Sequence, residues 1–142
     1  MHKILVPIDG SENAARALDY ALKLAKENAP IELHLVTVHP EPVMYGEILV
    51  YITREKMERL QKEHSEDFLR PAEAVVRAAG VPYTSEILIG DIALMIVKRA
   101  DELNCDGIIM GTRGMGAVGN LVMGSVATKV VHLAKCPVTL VK

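Results

Sequence analysis

The chain has little that could stack on or enclose a nucleic acid. It contains no tryptophan, one phenylalanine and four tyrosines, so it lacks a series of aromatic rings on which bases could stack. Its formal net charge is −2, whereas a nucleic-acid footprint needs an extended basic patch or stripe. We therefore expect no nucleic-acid partner.

Cysteines and long apolar runs are also scarce. Cys105 and Cys136 have neither a CxxC spacing nor a companion histidine cluster, so a zinc or redox motif has little support and we interpret both as buried, inert thiols. The opening apolar run at residues 4–8 is broken by Asp9, too early for a signal-peptide core, and no stretch reaches the length of a membrane span. We expect a cytoplasmic protein without a membrane partner.

Acidic residues are missing from the last quarter of the chain. All 18 Asp and Glu lie in residues 1–106 together with 12 Lys and Arg, a local net charge of −6, whereas residues 107–142 carry four basic residues unopposed, a net charge of +4. Five of the ten glycines fall in the same region, between residues 111 and 125. A small basic region around bare backbone suits a phosphorylated small molecule, because phosphate is attracted by cationic side chains and by free N–H groups.

The order of apolar segments indicates an α/β fold. Strand patterns at residues 3–8, 31–38, 83–89, 106–110 and 137–141 alternate with helical patterns at 12–28, about 49–79, from Asp91 to about 100, and 124–134. Such alternation predicts a single doubly wound open sheet of five parallel strands with helices on both faces, and 142 residues suit one domain. Ligands of such sheets bind beyond the carboxyl ends of the strands, where the winding reverses. Strands one and four are expected to be neighbours if the winding reverses between them.

Two familiar phosphate-binding motifs do not fit the glycine-rich stretch. GMGAVG at residues 114–119 matches G-x-G-x-x-G, but a dinucleotide fingerprint follows a strand directly and needs an acidic residue about 20 positions later. The chain has no Asp or Glu after Asp106. A Walker A loop fails because Ser125 stands where that motif has lysine.

A third spacing of the same glycines resembles a known family. Gly111-x2-Gly114-x9-Gly124-Ser125, with KILVPIDGS at the start, IIMGTRG before the loop and CPVTLV at the end, is similar to the ATP-binding members of the universal stress protein family. The resemblance covers the whole chain, residues 1–142, and implies a Rossmann-like fold of the adenine nucleotide alpha hydrolase type. It also implies an ATP-binding, nucleotide-dependent regulatory or stress-response protein.

The resemblance implies a set of ATP contacts, which are Pro7, Ile8, Asp9, Val38, Met110, Gly111, Arg113, Gly114, Gly124, Ser125 and Val126. The first glycines of the motif would admit ribose and phosphate close to the backbone, and Gly124-Ser125 would aim the N-terminus of the last helix at phosphates. Other interpretations stay open: Asp9 is also a common turn residue, and Val38, Met110 and Val126 have the composition of an ordinary core. Ala127 lacks the hydroxyl that many ATP-binding members have there.

The function follows from the same resemblance and from what the chain lacks. We expect ATP to be held rather than turned over rapidly, with Mg²⁺ carried mainly by the phosphates, because we find no clear base and no Walker-type lysine. The alternatives are a nucleotide-free dimeric interaction module, a slow ATPase, or an oxidoreductase using GMGAVG.

Four histidines, at 34, 39, 64 and 132, show no ligand spacing and no evident carboxylate partner, and we assign them no role. The last strand, 137–141, is expected to be a sheet edge through which a homodimer forms.

Overall fold

The computed structural model describes residues 2–27, 30–41, 53–113 and 123–142. Strands and helices alternate along these segments: β1 (His2–Pro7), α1 (Glu12–Glu27), β2 (Ile31–His39), α2 (Arg54–Ala78), β3 (Tyr83–Ile89), α3 (Ile92–Glu102), β4 (Gly107–Gly111), α4 (Ser125–Leu133) and β5 (Val138–Val141). The predicted start of the second helix, at residues 49–52, lies outside the described residues.

The five strands form one parallel sheet in the order β3-β2-β1-β4-β5. β1 lies in the middle, with Ile4 opposite Leu33 of β2 on one side and opposite Gly107 of β4 on the other. The winding therefore reverses between β1 and β4. This confirms the predicted fold class and the predicted pairing of strands one and four.

Helices cover both faces of the sheet because successive strand side chains point to opposite sides. Val6, Leu35 and Ile109 contribute to a core beneath α1 and α2, whereas their neighbours Leu5 and Ile108 contribute to a core beneath α3 and α4. Each face thus has its own apolar layer, and the loops at the carboxyl ends of the strands lie between the two layers.

Three features of the helices depart from simple sequence rules. Pro71 does not divide α2, which runs as one helix through it. Leu60 and Val75 of α2 are apolar but are 49% and 45% exposed. Val131 of α4 is likewise exposed, and Ala127 and Val130 are the buried residues of that helix. No helix in the described part of the chain has the length and apolar character needed to cross a membrane.

Candidate functional site

A cavity of about 520 Å³ opens at the carboxyl end of the sheet, where the winding reverses. Ten of the eleven residues that the sequence singled out line it: Pro7, Ile8, Asp9, Val38, Met110, Gly111, Arg113, Gly124, Ser125 and Val126. The eleventh, Gly114, lies outside the described residues. The volume falls in the range of about 300–1,000 Å³ that is typical of small-molecule sites.

The β1–α1 turn supplies the acidic group of the cavity. Asp9 Oδ1 accepts hydrogen bonds from the backbone N–H of Ser11 at 2.9 Å and from the Ser11 hydroxyl at 2.5 Å. Ser11 Oγ in turn accepts from the backbone N–H of Ala14 at 3.1 Å, which caps α1. Asp9 therefore organises the turn and lines the cavity at the same time.

Gly111, at the end of β4, has a structural reason to lack a side chain. A Cβ built on it would lie 2.7 Å from Asn13 Cβ and 3.0 Å from the Asn13 carbonyl carbon. The start of α1 thus packs directly on the end of β4, and the sequence interpretation of this glycine as room for a ligand overlooked that contact. Because Gly111 also lines the cavity, this contact with Asn13 holds the start of α1 next to the cavity.

The N-terminus of α4 differs from those of the other helices. Each of the other three described helices has a side-chain oxygen that accepts a hydrogen bond from one of its first backbone N–H groups, and these oxygens belong to Ser11, Thr53 and Asp91. Helix α4 is preceded by Gly124, which provides no side-chain cap. The first N–H groups of a helix have no partner within the helix and carry a partial positive charge. Gly124, Ser125, Val126 and Ala127 line the cavity, so this end of α4 borders it with no side-chain cap among the residues that the structure describes.

Backbone hydrogen bonds fix the position of that helix end. The N–H of Gly124 donates to the carbonyl of Thr112 at 2.6 Å, and the N–H of Thr112 donates to the carbonyl of Val141 at 3.0 Å. The Thr128 hydroxyl donates to the Gly124 carbonyl at 2.9 Å. The start of α4 is therefore tied to the ends of β4 and β5.

The neighbouring helix α3 has its N-terminus occupied by its own carboxylate. The pKa of Asp91 is held below its ordinary value, first because the N–H of Leu94 donates to it and then because Lys129 does so. Lys129 Nζ lies 3.2 and 3.1 Å from the two carboxylate oxygens, which links α4 to α3 beside the cavity. An anion would meet this carboxylate at α3 but uncapped N–H groups at α4.

Sequence reasoning missed several residues of the cavity wall, which are His64 and Phe68 of α2, Ile92 and Ile96 of α3, Ser11, Ala14, Val36 and Ala127. Most of these have the helical or strand spacing of core residues, so periodicity alone could not separate them from the core. The apolar members form a wall on which a flat, apolar group can pack.

One histidine prediction was wrong, because His34 has a carboxylate partner. His34 is 5% exposed, and its Nε2 lies 2.6 Å from Glu86 Oε2 while its Nδ1 lies 2.6 Å from Thr84 Oγ1. Glu86 Oε1 also forms an ion pair with the Arg99 guanidinium of α3, at 3.1 Å. These residues are not among those lining the cavity, and we interpret the cluster as a link between β2, β3 and α3.

Both cysteines are free thiols away from this cavity. Desolvation on burial raises the pKa of Cys105 to about 11 and also raises that of Cys136. Cys105 is buried as predicted, and Cys136 is half-buried. Among the residues that the structure describes, no three His, Cys, Asp or Glu side chains are grouped as metal ligands.

Known proteins show the same sequence pattern and fold. A sequence profile of the universal stress protein family matches residues 1–142. The universal stress protein YxiE of Bacillus subtilis is 35% identical over 147 aligned positions, covering 99% of each chain.

Two solved structures share the fold. The universal stress protein UspA from Lactobacillus plantarum aligns with a TM-score of 0.86 at 23% identity, covering 99% of this chain and 97% of that one. A universal stress protein from Archaeoglobus fulgidus, solved in complex with dAMP, aligns with a TM-score of 0.71 at 23% identity, covering 100% of this chain and 98% of that one.

Proposed function

Because this chain belongs to the universal stress protein family, we propose that it binds ATP in the cavity at the carboxyl end of the sheet and acts as a nucleotide-dependent regulatory or stress-response protein. One observation carries the proposal: ten residues chosen from the sequence, spread from Pro7 to Val126, line a single cavity. The Archaeoglobus fulgidus protein of this fold was solved with an adenine nucleotide, dAMP, which supports the class of ligand.

The chemistry of the cavity wall supports a position for each half of the nucleotide. Val38 and Met110 offer apolar surface to the base, and the Asp9 carboxylate accepts a hydrogen bond from a ribose hydroxyl. The phosphates bind at the uncapped N-terminus of α4, beside Ser125 and Arg113, because helix N–H groups and positive charge favour anions there.

The same wall supports holding ATP over rapid turnover. The described lining contains no lysine, which is the residue that P-loop enzymes place on the phosphates. Asp9 is its single carboxylate, so we propose that Mg²⁺ is carried mainly by phosphate oxygens, as is usual for this ion.

The assembly proposals follow from the sheet. We propose that residues 1–142 form one domain and that two copies pair through residues 137–141. β5 is an edge strand of the sheet, and an edge strand presents unpaired backbone groups to another chain. A cytoplasmic location is part of the same proposal.

Release of bound nucleotide tests the proposal directly. Purified protein is denatured and the supernatant is chromatographed, and protein freed of ligand is then titrated with ATP and MgCl₂ in a calorimeter. Released adenine nucleotide, or heat of ATP binding, is the expected result. Absence of both would overturn it in favour of a nucleotide-free module, and released NAD or NADP would indicate an oxidoreductase.

Substitutions in the glycine motif test the assignment of the phosphates. We expect Gly124→Val and Gly114→Val to abolish ATP binding with the fold intact. At Gly124 the backbone φ of −75° and ψ of 167° are accessible to valine. Circular dichroism and thermal unfolding check the fold, and Val131→Thr, at an exposed position of the same helix outside the described cavity lining, is the control. Unchanged affinity in both glycine variants would refute the motif assignment.

A further inference from the structure

The single phenylalanine of the chain rests on a glycine at the mouth of the cavity. Gly10 has a φ of 81°, and a Cβ built on it would lie 2.6 and 2.7 Å from the Cδ1 and Cε1 atoms of Phe68. The ring of Phe68 therefore occupies the space that a side chain at position 10 would fill. Phe68 also lines the cavity, so α2 reaches across the β1–α1 turn to close one side of it.

His64 extends this aromatic surface. It lies one helical turn before Phe68, and the two rings meet edge to face with their centroids 4.6 Å apart and their planes at 69°. His64 lines the cavity as well, and its side chain is exposed. We call His64 and Phe68 together the α2 wall.

The charges of the cavity decide which half of a nucleotide this wall touches. Phe68 packs on Gly10, which follows the Asp9 carboxylate. Phosphates are repelled by a carboxylate and attracted to the uncapped end of α4, where Ser125 lies. The part of the ligand beside Asp9 and Gly10 is therefore the nucleoside.

We propose that the α2 wall binds the nucleoside half of the ligand and determines which nucleoside is accepted. Phe68 supplies an apolar ring face, and a ring nitrogen of His64 supplies a hydrogen bond at the rim. Gly10 is required for this arrangement, because a side chain at position 10 would displace the Phe68 ring. The proposal rests on nucleotide binding in this cavity.

A comparison of ATP with AMP tests it, since the two ligands share a nucleoside and differ in phosphates. Dissociation constants are measured by calorimetry for the unmodified protein and for Phe68→Leu and His64→Ala. We expect Phe68→Leu to weaken the binding of ATP and of AMP by the same factor, about 5-fold. We expect His64→Ala to weaken the binding of both ligands equally, by about 3-fold. Arg113→Gln, at the phosphate end, is expected to weaken ATP more than AMP.

Two controls separate this effect from a general loss of stability. Leu69→Val alters the next residue of α2, which is buried in the core and is not among the cavity-lining residues, and His132→Gln alters an exposed histidine of α4 outside the described lining. Neither control is expected to change the affinity for ATP or for AMP by more than about twofold. A substitution that alters stability without contacting the ligand leaves the contacts of the binding site unchanged.

The outcomes distinguish the two proposals. If the unmodified protein binds neither ATP nor AMP, the proposed function is wrong, and so is the nucleoside-binding role of the α2 wall. If the protein binds both but Phe68→Leu and His64→Ala leave both affinities unchanged, or weaken ATP alone, nucleotide binding stands and the assignment of the α2 wall is overturned. GTP is titrated in parallel, and an ATP-to-GTP preference unchanged by both substitutions would overturn the role in nucleoside selection.

Discussion

The two ends of the sheet each carry a cavity, and the two cavities differ in the groups that face them. The carboxyl-end cavity, of about 520 Å³, is bordered by the uncapped N-terminus of α4. A smaller cavity, of about 280 Å³, lies at the amino end, where Cys105 and Cys136 precede β4 and β5 and Asp101 pairs with Lys135.

The difference follows from the direction of the helices. Parallel strands joined by helices place helix N-termini at the carboxyl end of the sheet and helix C-termini at the amino end. Partial positive charge therefore faces the larger cavity and partial negative charge the smaller one. Phosphates favour the carboxyl end, and the predictions below test that contrast from the largest expected effect to the smallest.

The two glycines at the ends of β4 are expected to respond differently to alanine. At the carboxyl end, Gly111→Ala forces a Cβ to within 2.7 Å of Asn13 Cβ, and overpacking of this kind lowers the free energy of unfolding by about 1–3 kcal/mol. At the amino end, Gly107→Ala brings a Cβ to 3.4 Å from the Pro137 carbonyl oxygen, an ordinary contact, with a change of about 0.5 kcal/mol or less. Urea denaturation measures both, and equal losses would contradict the packing described for Gly111.

The thiol at the amino end is expected to be inert. Burial raises the pKa of Cys105 from 9.0 to about 11, so at pH 8 its thiolate is about 100-fold scarcer than in the unfolded chain and alkylation slows by about that factor. Iodoacetamide labelling followed by mass spectrometry, in buffer and in urea, measures the ratio. Equal rates in the two conditions would show that the thiol is neither buried nor perturbed.

The same pKa shift predicts how stability depends on pH. As the pH rises above 9.0, the unfolded chain releases the Cys105 proton before the folded chain does, so this thiol's contribution to the free energy of unfolding is present below pH 9.0 and is lost towards about pH 11. Cys105→Ala removes the titrating group. The difference in the free energy of unfolding between protein and variant should therefore vary over this window, and a constant difference would contradict the shift.

Ser125→Asp is expected to have opposite effects on the empty protein and on ligand binding. A carboxylate in the first turn of α4 complements the helix dipole and stabilises the helix by a few tenths of a kcal/mol. The same carboxylate repels phosphates and should weaken the binding of ATP by about 10-fold or more. Ser125→Asn, which has nearly the same size as the aspartate variant but no charge, is the matched control with a smaller loss. Thermal unfolding and calorimetry measure the two effects, and equal losses for both variants would argue against phosphate binding at Ser125.

The amino-end ion pair is expected to matter least. Lys135 Nζ lies 3.5 Å from Asp101 Oδ2, and the two side chains are 77% and 56% exposed. Exposed pairs of this kind contribute about 0–1 kcal/mol, so Lys135→Gln should change the melting temperature slightly and leave ATP affinity within about twofold. A large loss of ATP affinity would place the ligand at the amino end.

The fold could be predicted from the sequence because its strands and helices carry clear periodicity and alternate throughout the described part of the chain. Boundaries agree to within a few residues, as for Tyr83–Ile89, and the pairing of β1 with β4 followed from the reversal rule. The choice of cavity residues depended on the glycine spacing and on the family resemblance, and their contact with ATP stays a prediction.

The remaining features depend on tertiary contacts that one sequence does not reveal. His34 reaches Glu86, 52 residues away, and only the register that sets His34 opposite Thr84 brings the carboxylate near. Phe68 has the spacing of a core residue, and its place at the cavity depends on the missing side chain of Gly10. Pro71 stays within α2, although a proline inside a helix usually kinks or breaks it.

A nuclear magnetic resonance titration of the ¹⁵N-labelled protein with ATP and MgCl₂ is the most direct test of where the ligand binds. The expected result is a set of saturable shifts at the backbone amides of Asp9, Gly111, Ser125, Val126 and Ala127, with the amides of Cys105 and Cys136 unchanged. Shifts concentrated at the two cysteines, or no saturable shifts at millimolar ATP, would contradict nucleotide binding at the carboxyl end of the sheet.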